Sequence, residues 1–178
     1  MTALALAASD EATALHRAQR GDHDAFAELV AEHESMVFSI AFHFLRDRAS
    51  AEELAQDVFL EMYRQIGALE SPAHLLFWLR RVTANRCIDS VRKMRLRRVS
   101  IDDVELMTHD RVADPLLDRK LRQLLADLPD RQRLIVTLRY QEGLEPTEIG
   151  PIVDMPVNTV KSHLHRALAA LRKKLGEL

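Results

Sequence analysis

Cysteine is almost missing from this 178-residue chain: the single Cys87 excludes an internal disulfide framework and fits a reducing compartment. Glycine and proline are scarce, at five and six residues, and aromatic residues make up 5%. With abundant Ala, Leu, Arg and Glu, that scarcity points to an all-helical chain. Long apolar runs are missing too. The opening MTALALAASDEA lacks a basic leading segment and is too short to span a bilayer, so it reads as a lead-in, with no signal peptide and no membrane insertion. There is no glycine-rich phosphate loop. The eight histidines show no metal-ligand spacing; His163 and His165, two apart, diverge on a helix. Cys87 falls on an apolar face with no evident base. An enzyme is therefore the least supported class, and neither cofactor nor metal is expected.

Charge of one sign is missing overall but not locally. The formal net charge is −2, yet Arg80, Arg81, Arg86, Arg92, Lys93, Arg95, Arg97 and Arg98 face one anion, Asp89, within nineteen residues. This run closes a long helix expected to start at Pro72, with Ser71 as its cap. Leu75, Leu76, Leu79, Val82, Cys87 and Val91 form its apolar side; Trp78, Arg81, Asn85 and Arg92 lie opposite, while Arg86 and Ser90 intrude on the apolar arc. One reading is a solvated cationic helix end, favoured by the helix dipole. The other is a polyanion-binding face, with cations for phosphates, Asn85 for base edges and Trp78 for stacking.

Before this helix, the pattern predicts a short helix capped by Ser9 or Asp10 and ended at Gly21. A second follows from about Asp24 to Leu45, with Phe26, Leu29, Val30, Val37, Ile40, Ala41 and Phe44 as its core stripe; His33 and His43 there read as satisfied core or surface groups. A capping box, Ser50 to Glu53, opens a third helix, AEELAQDVFLEMYRQI, whose outer side is acidic. Residues 96–116 lose apolar periodicity, carry five acids and end at Pro115, which marks a linker. Helices resume with PLLDRKLRQLLADL and PDRQRLIVTLRYQEG. PTEIGPIV, a tight connection at Asp154-Met155, and a last helix from Pro156 to Leu175 then form a helix-turn-helix. Val160, Leu164, Leu168, Leu171 and Leu175 face inward in that last helix, and Asn158, Lys161, Ser162, His165 and Arg166 lie outward, as in a major-groove recognition helix. A plain helical hairpin is the competing reading.

Both halves, in this order, resemble bacterial sigma factors of the compact extracytoplasmic-function group. The resemblance implies an all-α fold of two small helical domains, a bundle at 1–95 and a helix-turn-helix domain at 117–178, joined by the acidic linker 96–116. Glu53, Leu54, Gln56, Asp57 and Phe59 sit where the family's core-polymerase-binding motif expects them. FWLRRVTANRCIDSVRK resembles the −10-reading segment, which implies roles for Phe77, Trp78, Arg80, Arg81, Asn85, Asp89, Arg92 and Lys93. MPVNTVKSHLHRALAALRKKL resembles the −35-binding helix, which implies roles for Asn158, Thr159, Lys161, Ser162, His165 and Arg166. The implied partners are core RNA polymerase, promoter DNA (duplex at −35, single-stranded at −10) and an anti-sigma factor, and the implied location is the cytoplasm.

Four departures from the family pattern stand out, one of them Asn158, which replaces a common glycine and is expected as a base or phosphate contact. Gly150-Pro151 replaces a usual Ala-Glu pair, and the proline predicts a kink or early helix end. Asp154 stands for a usual turn glycine and tolerates left-handed geometry. Phe77 beside Trp78 resembles the strand-melting aromatic pair of primary sigma factors; burial of Phe77 is the equal alternative. A stand-alone helix-turn-helix regulator would explain only residues 120–175, and a helical decoy would keep the binding surfaces without opening promoters.

Overall fold

The computed structural model describes residues 3–98, 124–125 and 127–176. Among these every regular element is helical: α1 (Ala3–Gln19), α2 (His23–Leu45), α3 (Arg48–Gln65) with a 3₁₀ turn at Ile66–Ala68, α4 (Pro72–Arg98), α5 (Asp130–Tyr140), α6 (Pro146–Val153) and α7 (Val157–Gly176). Residues 99–116 of the expected linker, and most of the expected PLLDRKLRQLLADL helix, lie outside the described residues. So do the side chains of Arg97, Arg98 and Leu175.

Local chemistry explains where the helices start. Asp22 caps α2 by accepting the Ala25 amide at 3.0 Å. Ser71 Oγ accepts the His74 amide at 3.1 Å, so α4 begins at Pro72 as the sequence predicts. Two starts differ from expectation. Helix α1 runs from Ala3, so Ser9 and Asp10 lie inside it. The cap of α3 is Asp47, which accepts the Ser50 amide at 2.8 Å. The Ser50 box is therefore displaced: the helix starts three residues earlier, its first-turn orphan amide at Ser50 is met by the Asp47 carboxylate, and Ser50 lies inside the helix.

Packing follows the apolar stripes. Leu29, Val37, Ile40, Ala41 and Phe44 of α2 are buried against Leu54, Val58 and Met62 of α3 and Leu75, Leu79 and Cys87 of α4. Val82 and Val91, expected inside, are half-buried, whereas Thr83 is fully buried and donates its hydroxyl to the Leu79 carbonyl at 2.7 Å. That bond within one helix turn lets a polar residue enter the core without an unmet donor. Burial pushes the Cys87 thiol up to about 12, partly offset by nearby Arg133, so it stays protonated and packs as a small apolar group.

The helix-turn-helix corrects one expectation. Helix α6 runs through Pro151 to Val153 without ending early. Pro151 and Thr147 are both exposed, so the carbonyl that loses its amide partner faces water. A reciprocal box between Glu145 and Glu148 holds the start of α6. Asp154 takes the left-handed conformation, φ 59°, as expected, and the Met155 amide donates to the Gly150 carbonyl at 2.9 Å. The buried apolar residues of both halves form one continuous cluster, with α5 packed on α2 and α6 on α4.

Candidate functional site

Helix α3 presents two faces outside the core. On one, Gln56, Phe59, Leu60 and Tyr63 join Phe26, Val30 and Phe38 of α2 around an open groove of about 820 Å³. Leu60 and Tyr63 are 55% and 51% exposed, and the Phe26 ring meets Tyr63 edge-on at 5.2 Å. This apolar surface is rimmed by Glu34 and Glu52, and exposed apolar patches of this kind are where proteins commonly meet partners. On the other face Glu53 is exposed, and Asp57 and Glu61 are tied to Arg86 of α4. Arg86 donates to Asp57 at 3.1 Å and to Glu61 through Nε at 3.1 Å. This explains the arginine that intruded on the apolar arc: it bridges α4 to α3.

Of the expected docking residues, Gln56 and Phe59 thus line the groove, Glu53 and Asp57 form the acidic edge, and Leu54 is buried in the core. Leu60 and Tyr63 were not anticipated. Their signal was legible: two large apolar side chains on the otherwise polar side of α3.

Helix α4 splits its candidates likewise. Asn85, Asp89, Arg92 and Lys93 are exposed; Phe77, Trp78, Arg80 and Arg81 are half-buried. Arg80 Nε is buried without a hydrogen-bond partner. Both aromatics pack against the core cluster, so Phe77 and Trp78 each have one side on apolar neighbours and some surface left.

Helix α7 keeps Val160, Leu164 and Ala167 inside, with Leu168 and Leu171 half-buried. Lys161, Ser162, His165 and Arg166 line a shallow open depression of about 570 Å³ on its outer face. Asn158 is exposed beside them and Thr159 half-buried. The Ser162 hydroxyl donates back to the Asn158 carbonyl at 2.9 Å.

His33, His43 and His163 are buried or half-buried, whereas His16, His23 and His165 are exposed. His33 Nε2 lies 3.0 Å from Glu11 Oε1 and joins α1 to α2; with Glu32, these residues bring ligand atoms within 4.8 Å of one another. His43 and His163 have values held below the usual imidazole range, His43 by burial and then Arg46, His163 by burial and then Arg166 and Arg131. Depressed folded values mean that the unfolded chain binds more protons, so their stability contribution is full above about pH 6.5 and is lost as the pH falls. The thermal midpoint is expected to drop on acidification from about pH 7 to 5.5, and a His43→Gln/His163→Gln protein to show a shallower drop. Equal slopes in a pH series of melting curves would refute this.

Two family models match in the same order as these surfaces: Sigma-70 region 2 over residues 29–97 and Sigma-70 region 4 over residues 118–171. The extracytoplasmic-function sigma factor SigW of Bacillus subtilis is 29% identical over 181 residues, covering 92% of this chain and 96% of the relative. The sigma-H factor of Pseudomonas aeruginosa is 28% identical over 180 residues, covering 92% and 93%. Among solved structures, CnrH in complex with the cytosolic domain of CnrY aligns with a TM-score of 0.67 at 20% identity, covering 94% of this chain and 98% of CnrH. The sigma factor RpoE in complex with the anti-sigma factor NepR, from Bartonella quintana, aligns at 0.68 with 22% identity, covering 85% and 96%.

Proposed function

The chain belongs to the sigma-70 family, as an extracytoplasmic-function sigma factor, and on that premise we propose a division of labour among its surfaces. It recognises promoters and works with RNA polymerase, an initiation factor rather than a catalyst in kind. No helix among the described residues is long and apolar enough to cross a membrane, and we place its action in the cytoplasm, where its DNA partner would be.

The polymerase side is assigned to α3. Glu53, Gln56 and Asp57 would meet a basic coiled coil on the polymerase, while Phe59, with Leu60 and Tyr63 beside it, would bury apolar surface in the groove. Charge complementarity gives such docking its specificity and on-rate. Residues 1–95 and 117–178 would be the two functional domains, with 96–116 between them. In α4, Arg80, Arg81, Arg92 and Lys93 would hold −10 phosphates, and Asn85 would read an unstacked base. Phe77 or Trp78 would abut the duplex edge, with Asp89 beside them. In α7, Lys161, His165 and Arg166, with Asn158, Thr159 and Ser162 nearby, would contact the −35 duplex. Two structural relatives are complexes with CnrY and with the anti-sigma factor NepR; we infer that an anti-sigma factor restrains this chain as well.

One observation supports the reading: exposed cations on α4 and a polar, outward face on α7 occur on one chain beside α3, with its acidic edge and apolar groove. A stand-alone repressor would need neither α3's groove nor α4's cations. Run-off transcription with purified core polymerase over a pool of promoter fragments tests it. Specific initiation only with this protein is the expected result; no initiation by folded protein would overturn the reading.

The roles on α4 separate in one comparison. Asn85→Ala is expected to change which −10 sequences are opened. Arg92→Ala is expected to weaken binding across all sequences, and to shallow the salt dependence by about one unit of slope. An unchanged preference profile for Asn85→Ala removes that residue from base reading.

A further inference from the structure

Helix α1 lies outside the residues that either family model matches, yet its last residue reaches the connection between α3 and α4. Gln19 donates through Nε2 to two carbonyls there, Ile66 at 3.2 Å and Leu69 at 2.7 Å. Both partners are acceptors, so only the nitrogen end of the carboxamide suits them. Residues 66–71 are tied at further points. The Leu69 amide donates to the Ile66 carbonyl at 3.2 Å, and the Leu69 side chain is buried. The Glu70 amide donates to His74 Nδ1 at 3.3 Å. Gly67, Ala68 and Glu70 stay exposed, and a Cβ added at Gly67 would meet nothing within 4 Å.

We propose that Gln19 is a positioning residue for −10 recognition, which fixes residues 66–71 as a second base-reading edge at the opposite end of the α4 face from Asn85. The proposal rests on the assignment of α4 to −10 DNA.

Helix geometry separates the two edges. Trp78 lies about 9 Å of helix rise beyond Pro72, and Asn85 about 20 Å beyond it. Trp78 and Asn85 are seven residues apart and share one face of α4. A base unstacked against the aromatic pair therefore has the 66–71 connection on one side and Asn85 on the other. The full span is more than a single base covers, so the two edges read different bases. With no side chain, Gly67 lets a nucleotide come close to the backbone of the connection. An edge already held in place binds without the cost of ordering a loop.

Gln19 stands on a fixed mount. Ala14, Leu15 and Ala18 of α1 are buried, and Arg17 pairs at 2.8 Å with Asp22, the cap of α2. Gln19 itself is exposed. Losing its amide leaves Leu69 anchored in the core, so the connection loosens while the bundle stays folded.

Substitutions in the full chain test this. Gln19→Met keeps the length and apolar stem but removes the donor; Gln19→Lys keeps a donor that can serve both carbonyls. The readout is open-complex formation with core polymerase over promoter fragments randomised through the −10 element, beside melting curves. Gln19→Met is expected to melt as wild type and to flatten base preference about tenfold at one −10 position, other than the position that Asn85→Ala flattens. Gln19→Lys is expected to keep that preference to within about threefold of wild type. An unchanged profile for Gln19→Met overturns the proposal. So does an even loss at every position, the mark of a general packing role, or a Gln19→Lys profile as flat as that of Gln19→Met. If Asn85→Ala and Arg92→Ala both leave −10 recognition intact, the assignment of α4 fails, and the proposal with it.

Discussion

Gly150→Val is expected to abolish −35 duplex binding while leaving core polymerase binding in place. The reason is local and steric. A Cβ on residue 150 would lie 2.8 Å from the Met155 carbonyl oxygen and 3.8 Å from Val157 Cγ2. The first of these is backbone, held where it is by the turn at Asp154 and by the Met155 amide on the Gly150 carbonyl. No side-chain rotation relieves it, so α6 and α7 must move apart, and α7, the proposed recognition helix, loses its position. Overpacking of this kind costs about 3 kcal/mol, a large share of a small domain's stability. The neighbouring residue gives the opposite sign. Pro151→Ala restores an amide and removes a ring clash on a solvent-facing turn, and should stabilise the protein by about 1–3 kcal/mol. Urea denaturation of both variants, with duplex binding of each, checks the pair. A Gly150→Val protein with an unchanged midpoint would mean that the turn is looser than its contacts indicate.

That contrast separates what was legible in the sequence from what was not. The helix class, the start of α4 at Ser71-Pro72 and the left-handed Asp154 follow from residue chemistry within one turn, so the sequence alone carries them. Pro151 misled because a proline's effect depends on whether the carbonyl it orphans faces water, and burial is not a local property. Ser50 matched a capping box, but Asp47, three residues earlier, caps the helix through the Ser50 amide, so a box pattern inside a helix start did not mark its first residue. The larger gap was Arg86. Helical periodicity put it on the apolar side of α4, and only packing revealed Asp57 and Glu61 of α3 opposite it. The residues assigned to docking and to −10 DNA are thus physically linked, which no single-helix reading could find. Arg81 and Arg95 likewise looked like free cations until the C-terminal half supplied Asp154 and Asp130.

The Arg86 bridge sharpens the second large effect, that of Asp57→Arg. Read from sequence, Asp57 is a solvent-facing acid, and its reversal should touch only the partner. In the structure its side chain, 55% exposed, also holds Arg86, which raises the prospect that loss of binding would merely report damage to the fold. The geometry argues otherwise. Arg86 keeps Glu61, whose side chain is 27% exposed and which takes the Nε and Nη2 donors together. Asp57 contributes the more exposed of the two pairs, worth under about 1 kcal/mol. The new arginine can turn to water while Glu61 holds the bridge. Asp57→Arg should therefore melt close to wild type yet bind core polymerase at least about a hundredfold more weakly, because a cation set against a basic coiled coil costs several kcal/mol. Asp57→Asn, which removes attraction without adding repulsion, should fall between, near tenfold. Competition binding against core polymerase, beside melting curves for each variant, reads both quantities. A folded Asp57→Arg protein with normal affinity would shift docking from the acidic edge to the groove. In that case Leu60→Asp, a charge placed on exposed apolar surface, becomes the substitution that should release the polymerase.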